Sequence, residues 1–527
     1  MISAEPSNQI KKIVVLGGGT AGFLTALAVK KHLPHLDVTI VRSTKMGVIG
    51  VGEGTIPSVV HFLHRFLGFE ATALYREVGA SPKLGIRYLW GKRPFFNYTF
   101  TGQLIQGHPT LSMPRGYYCK DSFEFADVNS ALMTFEKCCV RGPNGAPRLN
   151  NSSAYHLENR KFVSFLEKQA DKLAINKIDN VVEATTSSEN GVEKLILEGG
   201  QQVQADLFID ASGFRAELIG KALDEPVADY RNALFCDRAV VGGWKRTDET
   251  YHPYTTAETM DAGWCWRIEH DDLINRGYVF CSRFISDEQA VEEYQKKNPK
   301  AEVAKVIPFP AGVRNRTWVK NVIAVGNSAG FVEPLEATAI GMICDAALRL
   351  VKSLQASGCR NLPVQRRIYN RITRTNWDII RDFLALHYKF NTRLDTEFWK
   401  VAREDVDIGN AQEFVDYYRE VGPDFTILGT ELKRDFFTAE GYLVMLLGQA
   451  VPFARPVNIS PEQDAAWKKF KDGLKIRAQA GLNVPEFLKL VRSEQGAREL
   501  NQQTAQANEM RRVRHGESPK IGELNWH

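Results

Sequence analysis

The sequence predicts an α/β protein built around a doubly wound core, and three observations carry that expectation. From Ile13 the chain reads IVVLGGGTAGFLTALAVKKHL, an apolar run of strand length, a glycine turn, then apolar residues at helical spacing through Leu33. A second apolar run, VTIVRS at residues 38–43, closes a β-α-β opening. Two later runs, ADLFIDASGFR at 205–215 and NVIAVGNSAGFVEP at 321–334, also end in a glycine-containing turn that leads toward a helix. The core is therefore expected to assemble from three separated stretches.

Between the last two stretches, residues 240–284 are aromatic-rich and alternate in polarity, which predicts antiparallel strands forming a platform. Beyond about residue 340 the apolar positions recur at three and four, as in AALRLVKSLQ and YNRITRTNWDIIRDFLALHYKF, and predict a helical cap. The expected organisation is a core over 9–350 with an inserted β platform at about 90–150 and 235–305. A helical cap over 351–498 and a polar tail over 499–527 complete it.

Composition narrows the function. With 44% hydrophobic and 24% charged residues, the 527-residue chain can bury a sizeable core. A net charge of +5 from 67 basic and 62 acidic residues is too small over such a surface to select nucleic acid or an anionic membrane. Arg511, Arg512 and Arg514 read as a solvated tail. Eight cysteines share no repeating spacing, so neither a disulfide framework nor a metal site is expected. The N-terminus MISAEPSNQIKK lacks the apolar core of a signal peptide, and no run approaches the roughly 20 apolar residues that span a bilayer. A cytoplasmic protein is expected.

Gly17-Gly18-Gly19-Thr20-Ala21-Gly22 fits G-x-G-x-x-G between strand and helix. Gly17 permits the tight turn, Gly19 lets a pyrophosphate approach the backbone, Gly22 lets helix and strand pack, and the helix N-terminus faces the phosphates. Where a carboxylate commonly ends the second strand and holds a ribose, this chain has Arg42. An arginine there suits a 2′-phosphate, which keeps NADP in view. DASGFR, VGNSAGFVEP and the run Gly50-Val51-Gly52-Glu53-Gly54-Thr55-Ile56-Pro57 favour FAD.

Four stretches, GGGTAG, IGVGEGTIPS, ASPKLGIRYLWG and GFVEPLEATAI, together with WDIIRDFLALHYKFNTRLDTEFW and GYLVMLLGQAV, resemble the flavin-dependent tryptophan halogenases over roughly residues 11–460. The resemblance implies a glutathione-reductase-like FAD core, with Gly17, Gly19, Thr20, Ala21, Gly22, Arg42, Glu53, Gly326 and Ile340 contacting FAD. It implies that FADH2, oxygen and a halide (chloride, bromide or iodide) generate hypohalous acid, which reaches Lys83 beside the substrate. A desolvated amine can hydrogen-bond hypohalous acid or take up its halogen, whereas a guanidinium stays charged. Glu336 matches the family's catalytic carboxylate, which takes the ring proton; Glu333, three residues earlier, reads as structural.

The halide is expected on backbone N–H groups of Thr338 and Ala339. Ala339 stands where the family has glycine, so its φ must stay negative for the site to survive. Ala337 replaces a serine. Trp264 and Trp266 keep the family's tryptophan pair and are expected to form a flat wall shielding substrate from flavin. Glu269 replaces the proline that follows that pair, and this change is expected to loosen the strand end. Phe95, Phe96, Tyr98, Phe100, Tyr117 and Tyr118 are candidate walls for an electron-rich arene, an indole or a phenol. A separate NAD(P)H-dependent flavin reductase is the expected partner, and a homo-oligomer the expected state. Two other functions remain open on the same residues: an aromatic hydroxylase, and an inactive flavin-binding partner protein.

Overall fold

The computed structural model describes residues 9–47, 52–102, 124–142, 145, 147–148, 152–423, 436–454 and 459–503. Its first strand, Lys12–Leu16, is apolar on both faces because both faces are covered. It lies at the centre of a six-stranded sheet, flanked in parallel by Asp37–Arg42 and Leu207–Asp210. Asn176–Asp179 extends the sheet beyond Asp37–Arg42, and Val322–Ala324 extends it beyond Leu207–Asp210. The three separated stretches thus become neighbouring strands. Helix Thr20–His32 packs against helices Asn159–Lys172 and Ala339–Ala356.

A second sheet of seven strands holds the aromatic segment. Its order is Glu302–Pro308, Arg238–Lys245, Leu273–Phe280, Gly263–Glu269, Thr255–Met260, Gly85–Leu89 and Phe96–Thr99. A small third sheet joins Glu53–Gly54, Ala154–Leu157 and Ser81–Lys83. Gly54 of this sheet lies beside Thr255, the first residue of a platform strand.

Helices Pro363–Lys389, Glu397–Asp405, Ala411–Val421 and Thr438–Gly448 share one apolar core with the platform, in which Trp90, Trp264, Trp399 and Tyr388 are all buried. Tyr388 stacks on Trp399 at 5.7 Å, and Trp399 Nε1 donates to the Met260 carbonyl at 2.7 Å. Aromatic rings carry large apolar area and a polar handle, so these contacts fasten cap to platform. Helix Val484–Arg492 instead joins the core of the nucleotide half, where Phe487 packs edge-on to Tyr75. Among the described residues no helix is long and apolar enough to cross a membrane.

Candidate active site

The glycine loop is shaped by contacts that forbid a side chain at two positions and invite a ligand at a third. A Cβ on Gly17, whose φ is +133°, would sit 2.2 Å from the Ala211 carbonyl oxygen, and one on Gly22 would sit 2.0 Å from that of Gly17. A Cβ on Gly19 would meet nothing within 4 Å, and its φ of −92° is open to any residue. Helix Thr20–His32 starts there without a side-chain cap or an acidic residue in its first turn. Its first amides are thus available to a phosphate. Thr20 Oγ1 donates to Asn159 Oδ1 at 3.0 Å, and Ala21 backs onto Gly326, whose φ is +71°.

Arg42 lies over Gly18 and gives Nη1 and Nη2 to the two oxygens of Glu167, the former at 3.0 Å. A guanidinium neutralised in this way offers little to a 2′-phosphate, which favours FAD over NADP at this end of the loop. Burial pushes the Glu53 carboxyl up to about 7. Ile340 is buried one residue inside helix Ala339–Ala356. These residues fit a flavin dinucleotide: a Cβ-free cradle at Gly19, a helix N-terminus, and no competing anion in the first turn.

Lys83 ends strand Ser81–Lys83 and is fully buried. Its Nζ has no hydrogen-bond partner; the Phe100 ring centroid lies 5.4 Å away. Burial pushes the amine down to about 7, and the nearby Glu336 charge opposes this without reversing it. Gly54 makes the room: a Cβ there would lie 3.0 Å from Lys83 Nζ, 3.2 Å from Ala337 Cβ and 3.4 Å from Thr255 Oγ1. Lys83, the residue after Glu336 and the platform therefore meet at one glycine.

Glu336 closes the short turn Pro334–Glu336 and is buried. The Tyr88 hydroxyl donates to Glu336 Oε1, and His387 Nε2 lies 2.9 Å from the same oxygen. His387 Nδ1 lies 2.9 Å from the Phe383 carbonyl, which can only accept, so the Nε2 contact requires one proton shared between His387 and Glu336. Neither tyrosine nor histidine was predicted as a partner, and nothing local in the sequence marks them. Glu333 differs: Tyr388 donates to its Oε2 at 2.8 Å and Trp264 Nε1 at 3.4 Å, while burial pushes this carboxyl up to about 7.

Ala337 takes φ +55°, a left-handed conformation that non-glycine residues adopt at some cost. The chain then enters helix Ala339–Ala356, with Thr338 at φ −83° and Ala339 helical. The alanine at 339 consequently demands no positive φ. Trp264 and Trp266 lie on one face of Gly263–Glu269 with ring centroids 6.1 Å apart and planes inclined by 57°, so their wall is bent, not flat. Trp266 packs on Gly277, where a Cβ would come within 2.0 Å of its ring. The strand end is not loosened by loss of proline. Glu269 stays in the strand, fully buried, and binds Arg267 at 2.6 Å and Arg246 through its other oxygen. Two guanidinium contacts replace the rigidity of a ring. Tyr117 and Tyr118 lie outside the described residues, as do Gly50 and Val51 and the arginines of the tail.

A glycine-loop nucleotide core, a buried amine without a hydrogen-bond partner and a buried, hydrogen-bonded carboxylate are together the features of a cofactor-dependent oxidoreductase. The tryptophan halogenase family profile matches residues 12–463. Tryptophan 7-halogenase RebH of Lentzea aerocolonigenes is 32% identical over 446 residues, covering 78% of this chain and 82% of RebH. Among solved structures, MibH, a lanthipeptide tryptophan 5-halogenase, is 34% identical with a TM-score of 0.85, covering 95% of this chain and 97% of its own. BrvH, a flavin-dependent halogenase from Brevundimonas sp. BAL3, is 28% identical with a TM-score of 0.78, covering 91% and 99%. The chain belongs to the tryptophan halogenase family, whose members are flavin-dependent oxidoreductases.

Proposed function

We propose that this protein is an FADH2- and oxygen-dependent halogenase that places halogen on an electron-rich arene through Lys83, with Glu336 as the base. The observation that carries this reading is the pairing of a buried amine lacking any hydrogen-bond partner with a buried carboxylate close enough to influence it. An indole is the first candidate arene, because RebH is a tryptophan 7-halogenase and MibH a tryptophan 5-halogenase; a phenol is the second.

Gly17, Gly19, Thr20, Ala21 and Gly22 would hold the pyrophosphate, and Glu53, Gly326 and Ile340 the rest of FAD. Bound reduced FAD, with oxygen and halide, supplies hypohalous acid. The backbone N–H groups of Thr338 and Ala339 bind the halide at a helix N-terminus, where partial positive charge gathers. The neutral Lys83 amine receives the hypohalous acid, either by hydrogen bond or by forming N–X while water leaves. The ring then attacks the halogen, hydroxide or the lysine nitrogen leaves it, and Glu336 accepts the displaced ring proton and passes it on, so that water is released or the amine restored. Both of its hydrogen bonds converge on Oε1, which leaves Oε2 as the accepting oxygen. Trp264 and Trp266 keep the arene from the flavin. A separate NAD(P)H-dependent flavin reductase supplies the FADH2.

An assay of an arene panel with FAD, reductase, oxygen and each halide in turn, read by mass spectrometry, tests this reading. Halide-dependent mass shifts on indoles or phenols support it, and hydroxylated products without halide would replace it with a hydroxylase.

Gly19→Val separates flavin binding from folding. The backbone there suits valine and no protein atom is displaced. Only a ligand approaching the loop meets the new side chain. The variant is expected to melt near wild type yet lose FAD, measured by flavin fluorescence titration. Normal FAD affinity would move the nucleotide site elsewhere.

A further inference from the structure

The Lys83 amine has a neighbourhood that the halogenase reading alone does not use. In the three-stranded sheet, Ser81 pairs with His156, Lys83 with Ala154 and Gly54 with His156. Directly paired and alternate residues share a face, so Lys83, His156 and Gly54 lie on the same side of this sheet. Thr255, at the start of the platform strand Thr255–Met260, closes over that side. Its Oγ1 lies 2.9 Å from His156 Nε2. Lys83 Nζ and Thr255 Oγ1 crowd the same point beside Gly54, at 3.0 and 3.4 Å.

Two buried nitrogens here have no partner: Lys83 Nζ and His156 Nδ1. Burial, then the Lys83, His270 and Arg246 charges, push the His156 imidazole well below its usual value. His156 is neutral, and a neutral Nε2 can accept the Thr255 hydroxyl proton. In this structure Lys83 Nζ donates to no acceptor; Thr255 Oγ1 shares its place beside Gly54 and is the acceptor an amine N–H would take when the lysine turns to receive halogen. A carboxylate in this position would favour the ammonium form and remove the nucleophile, whereas a hydroxyl backed by neutral imidazole orients the amine without charging it.

Resting on the assignment of Lys83 above, we propose that Thr255 and His156 are positioning residues for halogen transfer: the hydroxyl, held by the imidazole, fixes the Lys83 amine so that its lone pair remains free for the halogen. The same face holds no carboxylate; the charged and titratable groups that reach it from other elements are Glu336, His270 and Arg246.

The test compares Thr255→Val, Thr255→Ser, His156→Gln and Lys83→Ala in the full-length protein, with FAD, reductase, bromide and the arene that responds best in the panel. Monochlorodimedone in the buffer traps hypobromous acid that escapes. Thr255→Val keeps shape and removes the hydroxyl. It is expected to lower kcat by about 10- to 100-fold, the scale for misplacing a reacting group, at unchanged KM and FAD content, while trap bromination rises. Thr255→Ser restores kcat to within about threefold, and His156→Gln, which keeps an acceptor, falls between. Thr255→Val at wild-type rate beside an inactive Lys83→Ala overturns this inference and leaves the lysine assignment standing. An active Lys83→Ala overturns both. Equal losses in Thr255→Val and Thr255→Ser with FAD released assign a structural role and also overturn it.

Discussion

Lys83→Ala yields a folded protein that binds FAD and consumes oxygen yet forms no halogenated arene, with loss of at least on the order of 10³-fold in product rate, as befits removal of a reacting group. The side chain is fully buried and bonded to nothing, so its removal leaves a small cavity but no orphaned partner. Lys83→Arg is equally inactive, because a guanidinium keeps its charge and offers no usable lone pair. A lysine that merely filled space or balanced Glu336 would be rescued by arginine. The wild type carries a second signature. The amine is pushed down to about 7 by burial, so product formation rises as pH increases through about 7 and levels once the amine is neutral. A lysine at its ordinary value of 10.5 would put that rise more than three units higher. Glu53 and Glu333 are pushed up to about 7 by burial as well, so the limb is assigned to lysine by its persistence in Glu53→Gln and Glu333→Gln. Product mass spectra across pH, beside flavin reoxidation rates for each variant, check all of these outcomes.

Glu336→Gln lowers kcat for halogenation by about 10²- to 10⁴-fold, the usual cost of losing a general base, and leaves oxygen consumption unchanged. The amide keeps an oxygen for the Tyr88 hydroxyl but carries no charge to receive the ring proton. The variant also disturbs the proton shared with His387, whose Nδ1 is committed to the Phe383 carbonyl. Turnover equal to wild type would remove Glu336 from the chemistry. Glu333 also keeps one oxygen unengaged while Tyr388 and Trp264 hold the other, so Glu333→Gln assayed beside Glu336→Gln separates the two carboxylates.

The parts of this site that were legible in the sequence are those governed by local stereochemistry. Gly17 and Gly22 announce themselves because a Cβ would strike a backbone carbonyl at 2.2 or 2.0 Å, and such collisions are fixed within a few residues of chain. The doubly wound core was legible because its strands are buried on both faces and read as unbroken apolar runs. Lys83 and Glu336 were found through the motifs around them, not through anything a lone lysine or glutamate displays.

Partners brought together by the tertiary fold were not legible. Tyr88 and His387 meet Glu336 from a platform strand and a cap helix, and His156 meets Thr255 from two different sheets. No spacing records such encounters. Arg42 was read as a possible phosphate ligand because its partner Glu167 lies 125 residues away on another helix. Glu269 reads as the loss of a proline, whereas Arg267 of its own strand and Arg246, just past the end of another, hold it in place.

In a halogenase that works in this way, oxygen is spent on making the halogenating species and never enters the arene. Turnover of the wild type under dioxygen labelled with heavy oxygen, with bromide and the responsive arene, tests this most directly. Expected is brominated arene free of heavy oxygen, with the label passing to water, and no product when bromide is withheld or in Lys83→Ala. Heavy oxygen bonded to the arene, with or without bromide, would contradict it.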